Sequence, residues 1–127
     1  MYPEDLKYHP EHAWAKIEGN IATLGITHYA QDQLGEIVFL ELPAVGTEVG
    51  AGKPYAEIES VKSVSDVYSS VNGSIVETNQ EAVEAPEIIN EDCYEAGWMI
   101  KVELGDPSGV DDLLDAAAYE KLISEED

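Results

Sequence analysis

Arginine is absent from this chain of 127 residues, and lysine occurs only 6 times against 27 aspartates and glutamates, giving a formal net charge of −21. Nucleic acids are held by neutralising their phosphates with Lys and Arg, so a polyanion would be repelled and nucleic-acid binding is excluded. An anionic membrane surface is disfavoured for the same reason. Long apolar runs are also missing. The longest unbroken aliphatic or aromatic stretch is Ile37 to Leu40, far short of the ~20 residues that cross a bilayer as a helix. Cysteine occurs once, as Cys93, so no internal disulfide forms and an idle or buried thiol is expected. The start, Met1 to Asp5, has no basic region followed by an apolar stretch, so neither a signal nor a transit peptide is expected and the protein is placed in the cytoplasm. What is present is 44% apolar residues, enough for one domain with a real core. The expected division is a single domain over 1–127, with its core at about 13–104 and a C-terminal helical segment at about 108–125.

Short strands fill the middle of the chain. Residues 13 to 26 alternate about Glu18-Gly19-Asn20 and predict a hairpin. Thr27 is placed to cap a short helix through Leu34, and Gly35 to end it in a left-handed conformation. Ile37 to Leu42 is expected to be a buried strand stopped by Pro43, and the Tyr55–Val61 stretch another, with a reversal near Lys62. Asn72-Gly73 is a strong turn signal before a strand over Ser74 to Thr78. Residues 79 to 97 are polar, with a short helical turn near Gln80 to Val83. Trp98, Ile100, Val102 and Leu104 then alternate with Met99, Lys101 and Glu103 as a half-buried strand. Val110, Leu113, Leu114, Ala118, Tyr119, Leu122 and Ile123 are spaced for one or two amphipathic helices, with Asp115 as a cap. This order of elements predicts a mainly β protein, a sandwich or flattened barrel.

Most catalytic chemistry lacks its residues. A phosphate-binding loop would need Gly at Thr47 and Ser or Thr at Pro54. A Ser-x-x-Lys nucleophile would need Ser at Glu59. His9, His12 and His28 are the only imidazoles; the first two lie in an expected irregular N-terminal stretch, and no ligand set for a metal forms around them. With 27 acids, adjacent carboxylates are the rule and mark solvated faces, so no acid and base pair stands out. A self-sufficient enzyme is not expected, and no catalytic residue is assigned.

Attention therefore falls on the lysines. Lys7, Lys16, Lys53, Lys101 and Lys121 lie in loops or at the polar phase of an element, where a charged head faces water. Lys62 sits between valines where two strand-like runs meet, in Glu59-Ser60-Val61-Lys62-Ser63-Val64-Ser65-Asp66. Composition alone leaves it a solubilising turn residue or a functional amine.

That stretch resembles the lipoyl-attachment motif of the glycine cleavage system H protein family, and the likeness covers nearly the whole chain. It continues in Gly25-Ile26-Thr27 with Tyr29-Ala30-Gln31, in Leu34-Gly35-Glu36-Ile37-Val38-Phe39 and in Glu41-Leu42-Pro43. Val71-Asn72-Gly73, Ile89-Asn90, Gly97-Trp98, Leu113-Leu114-Asp115 and Tyr119-Glu120-Lys121-Leu122 follow in order. The resemblance implies a lipoyl/biotinyl-type sandwich of two antiparallel sheets with short helices and a C-terminal helical addition. It implies lipoate on Lys62 as N6-lipoyllysine, because an amine on a long stem forms a stable amide with the lipoyl carboxylate and extends the arm.

The implied role is that of a non-catalytic carrier in glycine catabolism and one-carbon metabolism. The arm takes an aminomethyl group from pyridoxal-phosphate glycine decarboxylase to a tetrahydrofolate-dependent aminomethyltransferase, and dihydrolipoamide dehydrogenase reoxidises it. Lipoate ligase, or octanoyltransferase with lipoyl synthase, would install the arm, and a monomer is expected. The chemistry belongs to the cofactor and the enzymes, while the carrier supplies position and protection. A surface cleft excluding water, with a carboxylate for the loaded amine, follows from the fragility of that group.

Departures from the family's pattern bear on that cleft. Ala13 stands where glutamate is common in His-Glu-Trp, leaving Glu11 or Asp66 to meet the amine; Tyr29 stands where histidine is frequent. Ser70 and Cys93 replace common prolines, which costs loop rigidity worth roughly 0.4 to 1 kcal/mol each. An alternative role is a relay donating lipoyl or octanoyl groups to other lipoyl domains. A biotin carrier fits less well, since Val61 and Ser63 stand where that class has methionine. An unmodified acidic interaction module is the reading from another class.

Overall fold

The computed structural model describes residues 3–105 and 113–126. The chain runs β1 (Lys7–His9), β2 (Ala13–Glu18), β3 (Ile21–Ile26), α1 (His28–Leu34), β4 (Ile37–Glu41), β5 (Glu48–Val49), β6 (Pro54–Ser60), β7 (Val64–Tyr68) and β8 (Gly73–Thr78). Helices α2 (Gln80–Glu84) and α3 (Glu87–Glu91) follow, then β9 (Ile100–Leu104) and α4 (Ala116–Glu126). A six-stranded sheet has the order β1-β2-β3-β9-β8-β5, and a three-stranded sheet the order β4-β6-β7. Ile26 and Met99 from the side of the first sheet pack against Leu40, Ile58 and Val67 of the second. The result is a sandwich of antiparallel strands; the two sheets do not close into the flattened barrel that strand spacing also allowed.

Local signals fared well where their partners are close in sequence. The hairpin turns at Gly19, whose φ of 65° suits glycine. Thr27 caps α1, its hydroxyl accepting from the Ala30 N–H at 3.2 Å, and Gly35 ends the helix at φ 83°. Asp115 caps α4 by accepting from the Ala118 N–H at 2.8 Å.

Elsewhere tertiary contacts overruled the pattern. The N-terminal stretch is not irregular: β1 pairs with β2, and Tyr8, fully buried, exchanges two 2.8 Å backbone hydrogen bonds with Leu114. Leu114 is thereby fixed in a bridge rather than a helix, while Val110 lies outside the described residues. The strand from Ile37 is not wholly buried, because a register shift between Ile37 and Phe39 leaves Val38 and Phe39 49% and 44% exposed. Met99 is fully buried instead of outward, since Ala82 of α2 and Ile89 of α3 cover that side of the chain. The polarity of residues 79 to 97 concealed α3 altogether.

Asn72-Gly73, expected as a turn, joins strands that do not pair with each other. It lies where the chain passes from β7 in one sheet to β8 in the other, and the Asn72 carboxamide accepts from the Ala51 N–H at 2.9 Å. In the same crossover Ser70 is buried, and its hydroxyl has no hydrogen-bond partner among the described residues. An unpaired buried hydroxyl carries a desolvation cost that no bond offsets, so Ser70→Ala is expected to stabilise the protein by about 1 kcal/mol. Urea unfolding of the two proteins measures it, and a loss of stability would refute the explanation.

Candidate functional site

The β6–β7 hairpin ends in a two-residue tip, Val61 and Lys62, held from three sides. Beneath the tip the Ser60 N–H donates to the Ser63 carbonyl at 2.8 Å. The Ser60 hydroxyl accepts from the N–H groups of Lys62 at 3.2 Å and Ser63 at 3.1 Å, closing the turn from inside. The Val61 N–H donates to the Glu36 carbonyl at 3.0 Å, tying the tip to the segment leaving α1. The backbone is thus fixed while the Lys62 side chain is exposed. Its stem lies over Gly35, where an added Cβ would come within 3.0 Å of the Lys62 Cε. Gly35 therefore serves twice, supplying the left-handed helix end and the room for the lysine.

A residue with no local signal organises this corner. The Asn90 carboxamide on α3 donates to the Gly35 carbonyl at 2.8 Å and to Gln31 Oε1 at 3.0 Å, and its oxygen accepts from the Ile37 N–H at 2.8 Å. One side chain so pins the exit of α1 and the start of β4. Sequence reading picked out Asn90 only as part of a family pattern; its partners lie 53 to 59 positions away.

Beside the hairpin, between α1 and β7, opens a cleft of about 210 Å³. Ile26, Ala30, Leu34, Ile58 and Val67 give it an apolar lining, and Ala13 and Tyr29 stand on its wall. Glu11 and Asp66, both exposed acidic residues, also line it. The volume is below the roughly 300 Å³ of the smaller drug-like sites, which suits the end of a slender chain better than a bulky ligand. A larger, shallower groove of about 490 Å³ crosses the outer side of the three-stranded sheet, where Glu41, Glu57 and Asp66 stand in register across β4, β6 and β7. Three like charges side by side repel one another and favour no anion there.

The chain's similarities agree with this geometry. A family model described as glycine cleavage H-protein matches residues 6–126. The glycine cleavage system H protein of Carboxydothermus hydrogenoformans is 52% identical over 126 residues, covering 99% of this chain and 97% of that protein. That of Bacillus subtilis is 48% identical over 124 residues, covering 98% of each. The chain belongs to the glycine cleavage H-protein family. A solved structure of a glycine cleavage system H protein from Mycobacterium marinum, 38% identical, superposes on this H protein with a TM-score of 0.88, covering 96% of this chain and 98% of the other.

Other reactive groups of this H protein are poorly placed for chemistry. Cys93 is buried and its thiol is pushed up to about 12 by that burial, so it stays protonated and unreactive near neutrality. Its carbonyl accepts from the Trp14 indole at 2.9 Å. Burial lowers the His9 imidazole below its usual value, with Glu11 opposing. Among the described residues no group of three or more His, Cys, Asp or Glu side chains is arranged to hold a metal ion, and no helix is long and apolar enough to cross a membrane. Lys7, Lys16, Lys53 and Lys121 are exposed, and Lys101 lies 5.3 Å from the Trp98 ring centroid. None of these five sits at a closed hairpin tip beside a lined cleft.

Proposed function

We propose that this H protein is a lipoyl carrier whose arm is attached to Lys62. The observation that carries the reading is an exposed amine on a hairpin tip fixed by Ser60 and Glu36, next to an apolar cleft that Glu11 and Asp66 also line. When attached, lipoate supplies the disulfide that receives the aminomethyl group of glycine and the dithiol that is later reoxidised.

Every other contribution is made by the chain's own residues. A rigid tip keeps the arm's origin constant while its length sweeps out a small volume, which raises the effective concentration at whichever active site has docked. The apolar wall of Ile26, Leu34, Ile58 and Val67 excludes water from the arm's end. Glu11 and Asp66 offer negative charge to a cationic amine arriving at the cleft; Ala13, small and buried, brings no carboxylate to it. The partners in this reading are glycine decarboxylase, aminomethyltransferase and dihydrolipoamide dehydrogenase, with lipoate ligase or octanoyltransferase and lipoyl synthase installing the arm. The protein itself is a single domain acting as a non-catalytic, cytoplasmic monomer.

The test is to treat the purified full chain with lipoate ligase, lipoate and ATP and digest it at lysine. Unmodified protein is cut after Lys62, whereas an acylated Lys62 leaves residues 17–101 joined, since Lys53 precedes Pro54. The joined peptide, heavier by one lipoyl amide, is the expected product. Cleavage after Lys62 with the label on another lysine would overturn the assignment.

A further inference from the structure

The cleft's wall is tied to the far end of the chain through one hydroxyl. Tyr119 of α4 is fully buried, its ring stacked on Tyr8 at 4.9 Å between centroids. Its oxygen lies 2.7 Å from His12 Nδ1 and 2.7 Å from Thr27 Oγ1. Both partners bear on the cleft. His12 lines it, and its ring lies tilted at 38° against that of Tyr29, another lining residue, with centroids 4.7 Å apart. Thr27 caps α1, the helix that contributes Tyr29, Ala30 and Leu34 to the wall and ends at Gly35 beneath Lys62.

His12 is also held in an unfavourable backbone conformation. With φ at 69° it is the one non-glycine residue with positive φ among those described, and such a conformation costs on the order of 1 to 3 kcal/mol unless its surroundings over-determine it. Its N–H donates to the His9 carbonyl at 2.9 Å, its carbonyl accepts from the Thr27 N–H at 3.1 Å, and Tyr119 holds its ring. That kink separates β1 from β2 and turns the imidazole to the cleft while Ala13 is buried.

We infer that Tyr119 is a positioning residue for the arm cleft: its hydroxyl sets the His12 ring and the Thr27 cap together, so the C-terminal helix fixes the shape of the wall against which a loaded arm rests. The inference rests on the carrier reading of Lys62. Tyr119→Phe removes the hydroxyl and keeps the buried ring. Leu122→Ala, half-buried on the same helix and packed against the same cluster, is the control that loosens α4 without removing any hydrogen-bonding group.

The experiment uses full-length lipoylated protein whose reduced arm has been loaded with an aminomethyl group by formaldehyde and ammonia, each thiol so loaded releasing one water. Tyr119→Phe is expected to shorten the lifetime of the loaded arm about fivefold, the factor carried by one neutral hydrogen bond, with Leu122→Ala close to wild type. His12→Asn, which tolerates the same backbone, is expected to shorten it too, and the double variant to fall no further than the worse single one. The ring contacts between His12 and Tyr29 seen by NMR should change in Tyr119→Phe alone of the two helix variants. Equal lifetimes for wild type and Tyr119→Phe, or equal shortening by Leu122→Ala, overturn the positioning role alone. An unmodified Lys62 overturns the carrier reading and this inference together.

Discussion

Lys62→Ala is expected to abolish lipoylation and to reduce glycine–bicarbonate exchange with glycine decarboxylase to the level without carrier, while the melting temperature stays within a degree or two of wild type. The two halves of this expectation have different physical sources. Function is lost because no other lysine sits at a closed hairpin tip, so no neighbouring amine replaces the attachment point. Stability is kept because the side chain is exposed and the turn is closed by Ser60 and Glu36 rather than by the lysine. An exposed side chain outside any network contributes within about 0.5 kcal/mol. Mass spectrometry, the exchange assay and a thermal melt read the three quantities. Full exchange activity in the variant would favour an unmodified acidic module, and unfolding would mean that the amine is structural.

Gly73→Ala should have the largest effect on stability. A Cβ at this position would lie on the carbonyl oxygen of Glu103 and within 2.6 Å of the Val102 side chain, at the point where Gly73 pairs with Leu104 across β8 and β9. Backbone cannot swing aside as a side chain does, so the strand must separate or shift. Overpacking of this kind costs about 3 kcal/mol, on the order of a 10 °C fall in melting temperature for a chain of this size. The gap at the opposite strand is the cause, not the turn, which leads to a contrast: Gly19→Ala, with open space about its Cβ and only a positive φ to resist it, should cost about 1 kcal/mol. Equal losses in the two variants would show that backbone conformation, rather than close approach, governs Gly73.

Asn72-Gly73 is where local reading and tertiary structure part most clearly. The dipeptide announces a chain reversal, and the chain does change direction there, but into the other sheet. Which strand β8 joins depends on the apolar face presented by β9, and Val102 and Leu104 reach it only in the folded state. Met99 shows the same thing from the other side: alternation placed it outward, yet α2 and α3 arrive over it and bury it.

The candidate site divides in the same way. Lys62 and the reversal around it were legible from residues 59 to 66, as were the Thr27 cap and the Gly35 terminus of α1, because each of these interactions closes within a few positions. The role proposed for the lysine comes from family resemblance, which also pointed to Glu11 and Asp66, two residues that line the cleft. A cleft was expected from the resemblance, but its place and its walls were not legible in the sequence. Its walls come from β2, β3, α1, β6 and β7, which meet only when the sheets pack.

The sequence alone indicated most of the short strands, the Thr27 and Asp115 caps and the singular setting of Lys62. These follow from side-chain periodicity, charge and bonds between near neighbours, which survive in any local window. Tertiary structure alone decided that Asn90 clamps the corner, that Tyr119 reaches His12 across 107 positions, and that Gly73 must be bare. Those contacts join segments whose mutual approach is set by the packing of whole sheets, and no pattern within either segment encodes the distance between them.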